Sequence, residues 1–303
     1  MQYDVALETI IETNEIADAG AIAAGDTLDI PLPRPTATPD PFGPTPTFAP
    51  PPGHINGVPY SEILRAPAET RQHVQEIVAR GRSLGINPGA FWKVGDSTIE
   101  NPFFLAQFDG GPYALGEYAY LQPMIAHFAG SFARDSVAVR QGMHSWSMLD
   151  PLWADKNLCL GNEGALPCEI RLHRPAFLLV RLGSNDVGVP ESFRQSMQEI
   201  IDLAIANGVA PVLGTKADRH EGSDENNEII RALAAANNIP LWDFDAVAST
   251  VAGKGLDEDN VHLTTFYQHD YNLPEAFERG HALHNLSALV ILDLLWREFL
   301  QPE

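Results

Sequence analysis

From residue 53 onward, short apolar runs alternate with longer segments in which apolar residues recur every three or four positions. Short runs bounded by glycine or polar residues are typical of buried strands, and the longer recurrence is typical of amphipathic helices. The pattern predicts strands at 90–94, 136–139, 177–182, 209–215 and 239–244. It predicts helices at 69–84, from Pro190 to a capping Gly208, at 226–236 and at 284–300. This alternation indicates an α/β sheet, and ligands in open α/β sheets bind at the carboxyl ends of the strands.

The segment 31–52 has a different composition, because it holds ten of the chain's 24 prolines among Thr, Ala and Phe. Proline fixes φ and favours the extended polyproline II conformation. We therefore predict a semi-rigid linker between two modules. The alternative interpretation is a proline-rich ligand for another domain.

Residues 1–30 precede this linker, and Leu7, Ile10 and Ile11 share one helical face there. The segment is too short to fold alone. It resembles the second half of a LysM module, a small glycan-binding repeat, in Asn14, the Gly25-Asp26-Thr27-Leu28 turn and the Ile30-Pro31 pair. An amphipathic arm that packs on the main domain is the alternative. We divide the chain into a partial LysM-like segment at 1–30, a linker at 31–52 and a main domain at 53–303.

Composition and charge exclude several classes of protein. Of the 303 residues, 45% are hydrophobic and 19% are charged, which is typical of a globular chain and excludes wholesale disorder. The net charge of −21 would repel phosphate backbones and anionic membranes, so we expect no nucleic-acid partner.

Neither a membrane span nor a signal peptide is expected. The longest apolar stretch, 286–295, is interrupted by Ser287 and Asp293 and is shorter than the ~20 residues that cross a bilayer. The first ten residues lack both a basic and an apolar region, so we expect no signal peptide in this chain.

Polar residues and glycines at the predicted strand ends carry the most specific signal. In chain order they are Gly95-Asp96-Ser97, Gly142, Gly183-Ser184-Asn185-Asp186 and Asp259-Asn260-Val261-His262. Four such blocks in this order resemble the SGNH hydrolase superfamily, the GDSL-type esterases. Thr98 replaces the leucine that is familiar after the serine. The resemblance implies a flavodoxin-like three-layer α/β/α sandwich with a central parallel sheet, and a serine carboxylic-ester hydrolase.

Chemistry gives an independent reason to group Ser97, Asp259 and His262. A serine hydroxyl is a weak nucleophile until a base accepts its proton, and the base must itself be oriented by an acid. The spacing of three residues lets Asp259 hold the imidazole of His262 on one loop. Other candidate bases are His144, His220, His269, His281 and His284, and other candidate acids are Asp257 and Glu258. We predict His284 to be structural.

Acyl transfer also requires donors for the negative charge on the carbonyl oxygen, each contributing about 3–4 kcal/mol. The resemblance assigns this oxyanion hole to the backbone N–H groups of Ser97 and Gly142 and to the side-chain amide of Asn185. The sequence contains no H-E-x-x-H or C-x-x-C motif. The predicted chemistry requires neither a metal nor a cofactor.

Cys159 and Cys168 flank a short polar loop. In an extracellular chain these cysteines would pair, with a chain-entropy contribution of roughly 2–3 kcal/mol. The linker and the LysM-like segment both suggest an exported protein. We therefore predict a disulfide and an extracellular or cell-surface location, and two free thiols in a cytosolic chain are the alternative.

The ester that this protein cleaves is less well defined by the sequence. We expect short acyl esters, above all acetyl groups on an extracellular polysaccharide. Aromatic residues after Ser97 and Gly142 would offer flat faces to sugar rings: Phe103, Phe104, Tyr113, Tyr118 and Trp146. Of these, Phe103 and Trp146 are the predicted substrate-binding residues. Core or lid aromatics, a lipase or thioesterase for longer chains, and an inactive glycan-binding protein are the alternatives.

Overall fold

The computed structural model describes residues 49–100 and 102–301. The predicted LysM-like segment and residues 31–48 of the predicted linker lie outside the described residues. Residues 49–52 lie in irregular backbone before the first strand.

The strands form a hairpin and one central sheet. They are β1 His54–Ile55, β2 Val58–Pro59, β3 Leu64–Arg65, β4 Asn87–Gly95, β5 Pro175–Arg181, β6 Ala210–Gly214 and β7 Leu241–Trp242. The central sheet has the order β3-β7-β6-β5-β4. Strands β4 to β7 pair in parallel, and β3 pairs antiparallel with β7 at the edge. The predicted parallel centre of the sheet is confirmed, and the antiparallel edge strand is an addition.

Helices cover both faces of this sheet. They are α1 Tyr60–Ile63, α2 Ala68–Leu84, α3 Gln122–His127, α4 Ala165–His173, α5 Pro190–Ala206, α6 Glu225–Ala236, α7 Phe244–Ala248 and α8 Gly280–Leu295. Phe177 and Leu179 of β5 belong to the same core cluster as α2, α7 and α8. Leu178 and Val180 belong to the cluster of α4, α5 and α6. Because side chains alternate across a strand, this division confirms the three-layer α/β/α arrangement.

Short helical turns complete the chain between these elements. The 3₁₀ turns are Ser97–Ile99, Ala106–Asp109, Gly116–Leu121, Trp146–Met148, Pro151–Trp153, Ala252–Gly255 and Pro274–Phe277, and a π-helical turn spans Trp296–Leu300.

The prediction of a strand at 136–139 is wrong. This segment forms a turn and touches the sheet only through a bridge between Val139 and Gly95. Two backbone N–H groups of this segment donate to side chains and not to a neighbouring strand. The N–H of Ala138 donates to the hydroxyl of Ser136, and the N–H of Val137 donates to the carboxylate of Glu169. The segment 136–139 therefore packs beside β4 without forming a ladder.

Other boundaries also differ from the prediction. The last helix, α8, begins at Gly280 rather than at residue 284, so His284 lies inside it. The strand predicted at 239–244 is reduced to β7, because Asp243 donates its N–H to Ile63 and α7 begins at the next residue. The C-cap of α5 is Asn207, and the predicted cap Gly208 follows it with a φ of +73°.

Cys159 and Cys168 form a disulfide that ties the loop before α4 to this helix, with their Cα atoms 5.3 Å apart. The predicted pairing is therefore present. Within residues 49–100 and 102–301, we found no helix with the length and apolar character of a membrane span.

Candidate active site

The turn that follows β4 presents Ser97 at the carboxyl edge of the sheet. Asp96 is fully buried and caps the turn, because one of its oxygens accepts from the N–H of Thr98 at 2.9 Å and from its hydroxyl at 2.7 Å. Burial raises the pKa of Asp96. Thr98 thus has a polar role in the cap that a leucine could not fill. A Cβ at Gly95 would overlap the carbonyl oxygen of Arg181, so glycine allows the turn to lie against β5.

The imidazole of His262 joins Ser97 to Asp259. The hydroxyl oxygen of Ser97 lies 3.0 Å from Nε2 of His262. Nδ1 of the same ring donates to the carboxylate of Asp259 at 2.5 Å. This arrangement leaves Nε2 as an acceptor for the serine proton.

Asp259 is held in its charged form. The hydrogen bond from His262, with the backbone N–H groups of Val261 and His262, lowers the pKa of Asp259 to about 2. The carboxylate is therefore ionised at neutral pH and fixes the tautomer of the ring. The carboxylate of the competing acid Asp257 accepts from the N–H of Glu258 at 2.9 Å, and Asp257 contacts His262 through its backbone N–H, which donates to the carbonyl of His262.

Of the other histidines near the C-terminus, His281 and His284 are buried and His269 is half-buried. His284 is fully buried and stacks on Trp242 with ring centroids 4.8 Å apart. Burial holds the pKa of His284 well below its ordinary value, and neither ring nitrogen has a hydrogen-bond partner among the described residues. Burial, followed by the charge of His262, lowers the pKa of His281 to about 4. Burial also lowers the pKa of His269. Among the candidate bases, His262 is the one bonded to Ser97 in the described structure.

The structure brings Asn185 and the segment after Gly142 close to the turn that carries Asp96 and Ser97. The amide of Asn185 donates to the carbonyl of Met143 at 3.1 Å and lies 3.4 Å from the second carboxylate oxygen of Asp96. Gly142 is exposed, has a φ of +73°, and has nothing within 4 Å of the position of a Cβ. Its backbone is therefore open to a ligand, in a conformation that favours glycine.

Three residues that the sequence analysis gave no role support these loops. The buried carboxylate of Asp186 accepts from the N–H of Ser145 at 3.1 Å and from its hydroxyl at 2.7 Å. Asn226 donates to the carbonyls of Gly183 and Asp186 at 2.9 and 3.2 Å. Burial raises the pKa of Asp186. Asp186 belongs to a block that the sequence singles out, whereas Ser145 and Asn226 reach it from other segments and carry no sequence signal.

A buried ionic cluster contacts Ser184, the residue before Asn185. Ser184 donates its hydroxyl to Asp218 at 2.8 Å, and the buried ammonium of Lys216 lies 2.9 Å from the same carboxylate and 2.5 Å from that of Glu221. Burial alone would raise the pKa of Asp218, but the charges of Lys216 and Arg181 outweigh it and lower the pKa. This cluster fixes the backbone next to Asn185.

The predicted aromatic residues divide into two groups. Phe104 and Tyr118 belong to the core, and Tyr113 packs against it. Phe103 is 38% exposed and stacks on His281, and Trp146 is 40% exposed and stacks on His144. In the part of the chain that the structure describes, no group of three or more His, Cys, Asp or Glu side chains could hold a metal ion.

Comparison with known proteins gives only distant similarity. No family model matches the chain, and no curated protein matches it.

Among solved structures, a GDSL-like lipase from Bacteroides thetaiotaomicron is 15% identical, with a TM-score of 0.41 and coverage of 74% of this chain and 98% of that chain. An acetylxylan esterase from Geobacillus stearothermophilus is 12% identical, with a TM-score of 0.42 and coverage of 72% and 97%. A protein from Bacillus subtilis is 18% identical, with a TM-score of 0.41, and the match covers 71% of this chain but 58% of that chain. At these values the similarity carries no argument about the activity of this chain.

Proposed function

We propose that the protein is a serine carboxylic-ester hydrolase of the SGNH type. The proposal depends chiefly on one observation, the continuous hydrogen-bond path from Ser97 through His262 to Asp259. This path gives a partly exposed hydroxyl, at the carboxyl edge of a parallel sheet, a base and an acid in the order that nucleophilic catalysis needs.

The reaction proceeds in two halves. As the Ser97 oxygen attacks the ester carbonyl carbon, Nε2 of His262 takes the hydroxyl proton, and the ring passes it to the departing alcohol. Water then attacks the acyl-serine, and His262 takes a proton from that water. The acyl–oxygen bond to Ser97 breaks, the serine regains its proton from the imidazole, and the carboxylic acid leaves. Asp259 stabilises the charged imidazole in both halves.

In this proposal the carbonyl oxygen is stabilised by the N–H groups of Ser97 and Gly142 and by the amide of Asn185. The positions of Asn185 beside Asp96 and of the segment after Gly142 support this assignment. The 3.4 Å contact between Asn185 and Asp96 is long for a hydrogen bond, so the substrate oxygen competes for that N–H at small cost.

For the substrate, we propose short acyl esters, above all acetyl groups, on an extracellular polysaccharide. The exposed rings of Phe103 and Trp146 support this choice, because flat, exposed aromatic faces suit sugar rings. The disulfide between Cys159 and Cys168 supports an oxidising, extracellular environment. The mechanism uses neither a metal nor a cofactor.

A lipase for longer acyl chains is the second candidate. It is favoured by three exposed leucines in and beside the loop that the disulfide closes, Leu152, Leu158 and Leu160, of which Leu152 is 85% exposed. The two candidates differ in the dependence of kcat/KM on acyl length with a constant leaving group. A maximum at acetate or propionate supports the polysaccharide esterase, and a rise towards octanoate supports the lipase.

The experiment that tests the proposed function is replacement of the nucleophile. Ser97→Ala should lower kcat by several orders of magnitude without loss of folding, because the covalent route is removed. The exposed Ser192→Ala variant is the matched control and should keep wild-type activity. A fluorophosphonate should label Ser97 in the wild-type protein. Full activity of Ser97→Ala, or labelling at a different residue, would refute the proposal.

A further inference from the structure

Arg140 lies beside the turn that carries Ser97. Its N–H donates to the carbonyl of Gly95 at 3.2 Å, and its own carbonyl accepts from Met143 at 3.1 Å. The backbone of Arg140 is thus bound to the end of β4, two residues before Ser97, while its side chain is exposed.

The guanidinium group of Arg140 lies next to a pair of tryptophans that contact each other. It lies over the ring of Trp153 at 5.7 Å, and Trp153 meets Trp146 edge to face at 5.6 Å. Trp146 in turn stacks on His144 at 5.7 Å. We call Arg140, Trp146 and Trp153 the Arg–Trp surface.

This surface is attached to the same supports as the proposed oxyanion hole. Ser145 is held by Asp186, and the hydroxyl of Ser147 donates to the carbonyl of His144 at 2.7 Å. The side chain of Asp150 caps the 3₁₀ turn that carries Trp153 by accepting from the N–H of Leu152 at 2.9 Å. The turns that carry the aromatic rings are therefore held by hydrogen bonds, and the rings need little ordering when a ligand binds.

Apart from its contact with the ring of Trp153, the guanidinium of Arg140 has no partner among the described residues. Among the exposed arginines of residues 49–100 and 102–301, Arg80, Arg140 and Arg194 make neither an ion pair nor a side-chain hydrogen bond. Acidic residues outnumber Lys and Arg by 40 to 19, so carboxylates are abundant in the chain. Arg140 is the member of this trio that lies beside Ser97, and it is available to an incoming anion.

We propose that the Arg–Trp surface binds a carboxylate-bearing sugar, a uronic acid unit next to the esterified unit of the polysaccharide. The C–H face of the sugar ring packs on the indoles, and the guanidinium forms a planar, bidentate pair with the carboxylate. A single arginine matches one monoanionic carboxylate better than a phosphate, which is commonly bound by clusters of arginines. Because the chain has a net charge of −21, a local cation is needed to offset the general repulsion of an acidic glycan.

This inference rests on the proposed function, but its test needs no turnover. In the Ser97→Ala background, calorimetry compares trigalacturonate with the same trimer converted to primary amides, which are neutral and cannot be hydrolysed as esters. We expect the acid to bind about tenfold more tightly than the amide, which corresponds to about 1.4 kcal/mol. The Arg140→Gln substitution should remove this difference, and Arg140→Lys should restore part of it.

Arg194→Gln, at another unpaired exposed arginine, is the matched control and should keep the preference. Trp146→Ala should weaken both trimers to a similar extent, because it removes packing but no charge. Equal affinity for the two trimers before any change at Arg140, or the same loss in Arg140→Gln and Arg194→Gln, would overturn the inference. Activity retained by Ser97→Ala would instead refute the proposed function, so the two failures are distinguishable.

Discussion

At the residue scale, both nitrogens of His262 are engaged, one by Asp259 and the other by the hydroxyl of Ser97. A ring held in this way can accept the serine proton without reorienting. The low pKa of Asp259, about 2, keeps its carboxylate charged through the whole range in which an esterase works. Protonation of Asp259 is therefore not expected to limit activity at mildly acidic pH.

Substitution of each histidine tests whether His262 or His269 is the general base. We expect His262→Ala to lower kcat by about three orders of magnitude or more, and Asp259→Asn by about two to four orders, because the proton acceptor or its tautomer is lost. His269→Ala should keep most of the activity, since burial lowers the pKa of that ring and it has no bond to Ser97. Steady-state kinetics on a short p-nitrophenyl ester measures all three. An active His262→Ala variant beside an inactive His269→Ala variant would contradict the assignment.

At the scale of elements, the start of α8 is packed against the loop that leads to His262. A Cβ at Gly280 would overlap the carbonyl oxygen of Gly255, and the N–H of Gly280 donates to the hydroxyl of Thr264 at 2.8 Å. The position of the base thus depends on a backbone contact between a helix and a loop.

This contact predicts an unusual response to alanine. Alanine is a better helix former than glycine. We nevertheless expect Gly280→Ala to destabilise the protein by about 1–3 kcal/mol, because the added methyl group would overpack the contact. Gly161→Ala is the matched control, since Gly161 has nothing within 4 Å of a Cβ and no positive φ, and should change stability by less than about 0.5 kcal/mol. Urea denaturation measures both. Equal stability of the two variants would show that the loop at Gly255 moves to accommodate the methyl group without a loss of unfolding free energy.

The disulfide joins an irregular loop to α4, so its removal acts on that loop. We expect the double variant Cys159→Ser, Cys168→Ser to lose roughly 2–3 kcal/mol of unfolding free energy, mainly through a less constrained unfolded chain. Mass spectrometry of protein produced under oxidising conditions should find two hydrogens fewer than in the reduced chain. A reducing agent should destabilise the wild type and leave the double variant unchanged. Two thiols that react with an alkylating agent in the native protein would refute the pairing.

At the scale of the whole molecule, buried carboxylates make folding stability depend on pH. Burial raises the pKa of Asp186 in the folded state, so the folded protein binds this proton more tightly than the unfolded chain does. The resulting stabilisation is present below the unfolded pKa of about 3.9 and is lost as the pH rises through the folded pKa.

Asp186→Asn removes this titration while keeping an oxygen that can accept from Ser145. We therefore expect the variant to gain stability relative to the wild type as the pH rises from about 4 to about 7. Urea denaturation at several pH values measures the difference. Asp202→Asn, at an exposed position on α5, is the control, and its stability difference should vary less with pH. If the stability difference between Asp186→Asn and the wild type did not change with pH, the hydrogen bonds of Asp186 would compensate for its burial.

Local sequence patterns determined much of the sheet. The apolar runs at 90–94, 177–182 and 209–215 coincide with β4, β5 and β6 to within three residues at each end, and the helical periods at 69–84 and 226–236 lie in α2 and α6. These patterns succeed because burial on both faces of a parallel sheet demands continuous apolar runs, and one-sided burial of a helix demands a 3.6-residue period. The polar blocks at strand ends also lie where the chain leaves the sheet, at Ser97 and Asn185.

Tertiary structure decided the hydrogen-bond partners and the exposure of side chains, which local sequence patterns do not contain. The run 136–139 has the composition of a strand, but Ser136 and Glu169 take its N–H groups, and Glu169 is distant in sequence. Several histidines follow the strands, and only packing separates buried His281 and His284 from His262. The exposure of Trp146 and Phe103, against the burial of other aromatics, is likewise a property of neighbours brought from other segments. Sequence specifies the periodicity of each element, whereas hydrogen-bond partners and exposure depend on contacts across the fold, which single-chain patterns do not encode.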